Sequence, residues 1–277
     1  MITPKHIGFV KDAIFLSNTS LRDFIKCPRA YYLKNIYKDP RNGYRIQIAS
    51  PYLTLGTLVH ETIKWFLDSR QQLPLSSLEE QYRNLWHRFQ GKRGGFTSKE
   101  EEASFGKRGL EMLSNFGENW KKLEAKMPPV SFPKYPLTDN IILTGNMDFV
   151  GALPDGSLHV VDFKTGTRDE DDPIQLYIYA ILAENNYGKD VTCASFWYLD
   201  RDDTPKDIVL DPLEPKIEEL TQRGLEIEKG LKEGKWECPR GDEGCFECRD
   251  YEKILAGKGE WVFTDHNFKK EIFFLSK

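Results

Sequence analysis

Between residues 143 and 179 the chain places Asp148 on one apolar run, Asp162 and Lys164 on the next, and Gln175 and Tyr179 on a segment of helical pattern behind them. Alternate side chains of a strand share a face, so Val160, Asp162 and Lys164 point the same way. Charged residues two apart in an otherwise apolar strand need a chemical reason. Two carboxylates converging from neighbouring strands make a hard-oxygen site suited to Mg2+ or Mn2+, ions that retain waters and accept phosphate oxygens. Such an ion lowers the pKa of its water and offsets the charge of a phosphorane-like transition state. A lysine beside that water orients it or stabilises the developing charge. Gln175 and Tyr179 lie four apart on one helix face. They suit holding Lys164 or touching a nucleic-acid strand, and either one taken singly also reads as packing.

The elements that must position these groups are a hairpin and a helix. Residues 141–153 and 158–164 read as two β-rich runs around Pro154-Asp155-Gly156, a hairpin signal. A symmetric two-residue turn at Asp155-Gly156 pairs Asp148 with Phe163 and turns Asp148 away from Asp162. Convergence therefore demands an odd-length loop, a bulge or a twisted strand end. Asp172-Pro173 opens the following helix as N-cap and first helical residue, and Gly188 stops it after about residue 186. Residues 191–199 and 206–210 form a second hairpin around Asp202-Asp203-Thr204-Pro205.

The region before Pro129 reads as helical throughout. Thr19 or Ser20 caps a helix running to about residue 37, and Pro28 interrupts it, so that Lys26-Cys27-Pro28-Arg29 sits at a kink. Residues 54–69 are helical, with His60 four positions after Gly56, whose missing side chain leaves room for a ligand. A satisfied structural histidine is the alternative. Another helix spans residues 75–89. The glycine-rich basic stretch 90–95 then either closes over a polyanion or is a mobile surface connection. A long helix over 99–126 follows. Beyond the sheet, a charged helix over 214–233 leads to the late cysteines, and the aromatic tail 261–274 is a strand or an arm.

The 277 residues, 39% apolar and 30% charged, have the composition of an ordinary globular protein, and no long low-complexity linker divides them. They are expected to form one domain over 1–277. Its parts are a mainly helical region 17–130 carrying Cys27 and His60, a catalytic sheet and helix over 131–211, and a C-terminal helix, cysteine segment and tail over 212–277. No window approaches the roughly eighteen apolar residues that span a bilayer, and residues 1–16 lack a signal-peptide layout. A cytoplasmic protein without a membrane partner is expected. The net charge of −4 argues against a nucleic-acid partner. Between residues 22 and 45, however, Arg22, Lys26, Arg29, Lys34, Lys38, Arg41 and Arg45 face only Asp23 and Asp39, while acid gathers in 169–172 and after Pro212. This basic set is either a phosphate-binding face or a solvated helix surface.

Taken in order, Gly56-Thr57-Leu58-Val59-His60, Gly145-Asn146-Met147-Asp148, Val161-Asp162-Phe163-Lys164-Thr165-Gly166 and Gln175-Leu176-Tyr177-Ile178-Tyr179 resemble the motifs of the RecB-like branch of the PD-(D/E)XK nuclease superfamily, which includes helicase-associated and CRISPR-associated RecB-type exonucleases. Cys27-Pro28-Arg29 with the tyrosines after it resembles that branch's N-terminal signature, and the resemblance spans residues 17–251. It implies an α/β fold of the restriction-endonuclease type, a mixed sheet flanked by helices with a helical N-terminal region. It implies that His60, Asp148, Asp162 and the backbone carbonyl of Phe163 bind Mg2+ or Mn2+, that Lys164 assists hydrolysis, and that Gln175 and Tyr179 complete the catalytic set. The implied substrate is DNA, cut as single strands or from ends, in repair, recombination or CRISPR adaptation. Arg22, Lys26, Arg29, Lys92 and Arg93 are then candidate DNA contacts. No G-x4-G-K-[ST] loop is present, so a helicase motor would be a separate partner. Two other readings stay open: a non-catalytic DNA-binding or assembly module partnering a helicase or nuclease complex, and a metal-dependent hydrolase of small phosphate esters.

Five cysteines in a chain expected to be cytoplasmic are not expected to pair as disulfides. Cys193, in an apolar strand, reads as small core filler. Related iron–sulfur nucleases take one cluster ligand before the nuclease core and three after it, which here selects Cys27, Cys238, Cys245 and Cys248. Four thiolates suit a [4Fe–4S] cluster foremost, and also zinc. The family's late spacing, C-x2-C-x5-C, fits Cys245 and Cys248 but puts its third member on Ile254. Either Cys238 substitutes, or the cluster is lost and Cys27 remains for packing.

Overall fold

The computed structural model describes residues 13–69, 73–170 and 172–276. Most of the segment read for a leader, residues 1–12, and Asp171 of the acidic run lie outside the described residues. In chain order the elements are β1 (Ile14–Leu16), α1 (Asn18–Lys26), α2 (Pro28–Tyr31) with a π turn over Tyr32–Ile36, β2 (Arg45–Ile48), α3 (Pro51–Asp68), α4 (Ser76–Trp86) and α5 (Lys99–Asn119). Then come β3 (Ala125–Lys126), β4 (Lys134–Pro136), β5 (Ile141–Thr144), β6 (Phe149–Ala152), β7 (Leu158–Lys164), α6 (Ile174–Tyr187), β8 (Val191–Tyr198), β9 (Lys206–Asp207), α7 (Leu213–Glu233), α8 (Phe246–Leu255), β10 (Glu260–Asp265) and β11 (Lys270–Phe274). Two compact units are built from them, one from described residues within 13–18, 64–69, 112–170 and 172–233, the other from 19–63, 73–111 and 234–276.

The first unit holds a five-stranded mixed sheet in the order β3-β6-β7-β8-β9 and a three-stranded sheet β1-β5-β4. β7 and β8 run parallel, and parallel neighbours need a crossover, here α6. Every residue of α6 from Ile174 to Glu184 except Gln175 is buried, the pattern of a helix covered on all sides. Leu176, Tyr179 and Ala183 pack on Val160, Ala194 and Phe196 of the sheet. On the opposite face of β7 and β8, the rings of Phe163 and Trp197 pack with Phe116. α7 lies close on the small sheet because Gly224 presents no side chain there; a Cβ would stand 2.8 Å from Ile141 Cγ2.

The second unit carries the sheet β10-β11-β2, with β10 and β11 antiparallel and β2 parallel to β11. Ile46, Ile254 and Phe273 form one core cluster beside it, and Cys27, Ala30, Leu33, Cys238 and Cys248 another.

A mixed α/β fold with helices against the sheets is the observed class. The helix over 18–36 breaks at Cys27 as Pro28 requires, although α1 starts at Asn18, ahead of both predicted caps. The wholly helical reading of the region before Pro129 does not hold. β1, β2 and β3 are strands of two to four residues whose partners are β5, β11 and β6. Segments so short carry no local alternation, and only distant pairing makes them strands. The long helix expected over 99–126 likewise ends at Asn119. The run 141–153 is two strands in different sheets, with the break at Gly145. A Cβ there would meet Leu182 Cδ1 at 3.4 Å, so the chain turns where α6 comes close. Within the stretch 90–95, Gly91–Gly94 form a 3-10 turn. Gly94 is buried, and Gly95, at φ 85°, sits against the backbone of Ala49 and Ser50. Tail residues 260–274 make a hairpin.

Candidate active site

The β6–β7 hairpin meets the odd-length requirement. Its ladder pairs Phe149 with Val161, Val150 with Val160, Gly151 with His159 and Ala152 with Leu158. The connection is thus the odd-numbered stretch from Leu153 to Ser157. It is closed by Leu153 N–H donating to Ser157 O at 2.9 Å and Gly156 N–H donating to Leu153 O at 2.9 Å. Asp155 Oδ1 accepts from the backbone N–H and hydroxyl of Ser157, and Gly156 takes φ 88°. One step beyond Phe149–Val161, this register sets Asp148 across from Asp162. The Asp148 carboxylate also accepts the Phe163 N–H at 3.0 Å, tying it to β7.

Around Asp162, 1% exposed, the predicted groups form one network. Lys164 Nζ stands 2.8 Å from Asp162 Oδ2 and donates to Gln175 Oε1 at 2.9 Å. Gln175 Nε2 donates to Asp162 Oδ1 at 2.6 Å and to the Tyr179 hydroxyl at 3.2 Å. Burial holds the Tyr179 hydroxyl far above its ordinary pKa, and the carboxylates of Asp148 and Asp162 push it the same way. Both negative charges therefore bear on one buried point. With Asp162 buried and Asp148 half-buried, two carboxylates brought together favour a bound cation. The carboxylate and carbonyl oxygens on this hairpin fit a hard divalent ion better than a soft metal. Gln175 is the hinge of this network because it contacts Asp162, Lys164 and Tyr179 at once. Gln175→Ala is expected to lower metal-dependent hydrolysis by about 10- to 100-fold with little change in thermal unfolding, checked by initial rates beside a melting curve.

Two neighbours of Lys164 were not singled out from the sequence. Glu170 Oε1 lies 3.5 Å from Nζ, with its own N–H donated to the Tyr198 hydroxyl at 2.9 Å. The Phe196 ring lies under Nζ at 4.7 Å. Glu170 belongs to the acidic stretch 169–172, and nothing in its spacing distinguishes it from Asp169 or Asp172. Asp172 itself caps α6 from one residue further out than expected, accepting the Ile174 N–H while Pro173 takes the N-cap position.

The remaining predicted residues belong to the second unit. His60 is half-buried on α3. Of the basic candidates, Lys26 pairs with Glu247 at 3.1 Å, Arg29 with Glu252 at 3.1 Å and Lys92 with Glu260 at 2.6 Å. Arg93 stacks on Phe263 at 4.2 Å, and Arg22 is half-buried on α1. Three of the five thus answer carboxylates within their own unit. The four sulfurs of Cys27, Cys238, Cys245 and Cys248 gather within 4.8 Å of one another. Ile254, at the position where the resemblance expects the third late cysteine, is core filler with Ile46 and Phe273. Burial pushes the Cys27 thiol up. At Cys245 burial is outweighed by the backbone N–H groups of Cys248 and Glu247, then by the thiols of Cys27 and Cys238, and the thiol falls to about 7. Cys193 is not core filler. It is half-buried with Sγ 3.6 Å from Asp207 Oδ1, beside a chain in which His159 bridges Glu124 at 2.9 Å and the buried Ser195 hydroxyl at 2.6 Å. The alternation of β8 turns residue 193 to this polar side.

Among the described residues no helix is long and apolar enough to cross a membrane. No curated protein compared with the chain matches it. A solved structure of a candidate exonuclease from Eubacterium rectale is similar at 14% identity and a TM-score of 0.49, over 85% of this chain and 87% of that one. Residues 16–252 match the PD-(D/E)XK nuclease superfamily, and with most of its length inside that match, the chain belongs to this superfamily.

Proposed function

We propose that the protein is a Mg2+- or Mn2+-dependent deoxyribonuclease of the RecB-like branch, acting as an exonuclease on single-stranded DNA or DNA ends. The observation that carries this reading is that Asp148, tied to the Phe163 N–H, and Asp162, 2.8 Å from Lys164 Nζ, bring two carboxylates and an ammonium group to one strand of a parallel pair. When bound, the divalent ion supplies an activated water and neutralises charge on the scissile phosphate. Asp148, Asp162 and the carbonyl of Phe163 would hold it, and the motif ending in His60 assigns that imidazole to the same role. Lys164, steadied by Gln175 and Asp162, orients the attacking water or meets the charge that develops on the phosphate. Gln175 keeps Lys164 from swinging away from Asp162, and Tyr179 holds Gln175 in turn. Repair, recombination or CRISPR adaptation are the settings that the motif resemblance suggests, with a helicase or adaptation complex as partner.

The test is cleavage of 5′- and 3′-labelled single- and double-stranded DNA with Mg2+, Mn2+ or EDTA. Salt-sensitive shortening of single strands in either metal, abolished by EDTA, is expected. DNA binding without turnover would favour an assembly module instead. Hydrolysis of mononucleotide esters that excess single-stranded DNA does not inhibit would favour a small-phosphoester hydrolase.

A further inference from the structure

We propose that Cys27, Cys238, Cys245 and Cys248 bind a single zinc ion as a closed structural site, rather than a [4Fe–4S] cluster. The distances separate the two. A tetrahedral ion with Zn–S bonds of about 2.3 Å sets its thiolate sulfurs about 3.8 Å apart. In a cubane each cysteine binds a different iron, so the sulfurs stand roughly 6 Å apart. Here Cys245 Sγ lies 3.8 Å from Cys248 Sγ, Cys248 Sγ lies 3.9 Å from Cys238 Sγ, and all four sulfurs fall within 4.8 Å of one another. The space between them takes one ion and is too small for a cubane.

The surroundings fit a tetrathiolate site. Each sulfur accepts a backbone N–H: Cys27 from Ala30 at 3.4 Å, Cys238 from Arg240 at 3.4 Å, Cys248 from Cys245 at 3.2 Å, and Cys245 from Cys248 as the N-cap of α8. Four thiolates around one divalent ion leave a net charge of −2, which these N–H dipoles offset. The Arg29 guanidinium adds a positive charge within reach of Cys238 and Cys248. Binding releases the thiol protons to solvent and transfers no electrons. With four protein ligands and no open position, the ion has a structural role, fastening Cys27 to the segment 238–248. The altered late spacing follows from this. Ile254 fills the core, and Cys238 supplies the sulfur from the other side of the Cys245–Cys248 pair.

The test uses the full chain purified both in air and without oxygen, with zinc, iron and acid-labile sulfide measured against protein. About one zinc per chain in a colourless protein is expected. Growth with Co2+ in place of zinc should give the visible d–d and thiolate charge-transfer bands of a tetrahedral cobalt tetrathiolate. Brown protein holding iron and sulfide in comparable amounts when prepared without oxygen would overturn the proposal, as would protein with no bound metal. Cys238→Ser should bind zinc more weakly in competition with a chromophoric chelator. If that variant does not fold, the cobalt spectrum of the unaltered chain still decides. None of these readouts depends on nuclease activity, so the zinc site and the nuclease reading can fail separately.

Discussion

Asp162→Ala is expected to lower Mg2+-dependent cleavage of single-stranded DNA by about two to three orders of magnitude or more, and Lys164→Ala by a similar factor. The two losses should differ in kind. Asp162 is the buried carboxylate on which both Lys164 Nζ and Gln175 Nε2 converge, so its removal takes away a proposed metal ligand and leaves two donors without their acceptor. The defect should include weaker metal binding, visible as a higher Mn2+ concentration for half-maximal rate or as lost binding heat. Lys164→Ala removes the group placed to orient water or meet developing charge while leaving both carboxylates. It should bind metal and DNA and turn over slowly. Asp162→Asn, close to isosteric, separates the chemical role from any packing defect. Undiminished cleavage by both alanine variants would remove the proposed mechanism.

The second large effect concerns stability. Phe116→Ala is expected to cost about 3 to 5 kcal/mol. Phe116 is fully buried on α5, with its ring centroid 5.7 Å from those of Phe163 and Trp197 and 6.2 Å from Phe66. Removing its ring leaves a cavity that three other aromatic rings cannot close. These rings line the face of β7 opposite Asp162, so the variant should lose stability first and activity only where it begins to unfold. Equilibrium urea denaturation checks this, with the midpoint shifted and the slope preserved. A loss below about 1 kcal/mol would mean that the cluster relaxes around the gap, against the close packing expected of such a core. Phe116→Leu should fall between the two.

Much of the candidate site's arrangement was legible in the sequence because its residue pairs are local. Asp162 and Lys164 share a face by strand period alone, and Gln175 and Tyr179 by helix period. The one question that period could not answer was the face of Asp148. It could be framed in advance, since a two-residue turn would have turned the carboxylate away, and the odd-length connection over Leu153–Ser157 decided it. Glu170 escaped notice because its place depends on a hydrogen bond to Tyr198, far along the chain. Cys193 was misread because an apolar run predicts burial without saying which side of β8 meets Asp207.

By itself the sequence determined the residue types, their order along the chain, the break at Pro28, the stop at Gly188 and the shared face of Asp162 and Lys164. Those follow from backbone geometry and short-range periodicity. Only the tertiary structure decided the pairing of β1 with β5 and β2 with β11, the register that turns Asp148 toward Asp162, and the spacing of the four sulfurs. Each of these sets atoms from distant parts of the chain at definite distances, and such distances depend on how whole elements pack rather than on any local preference. The sulfurs show this most plainly: cysteine count and order suit iron–sulfur and zinc alike, and the separation of the thiols is the observation on which the zinc proposal rests.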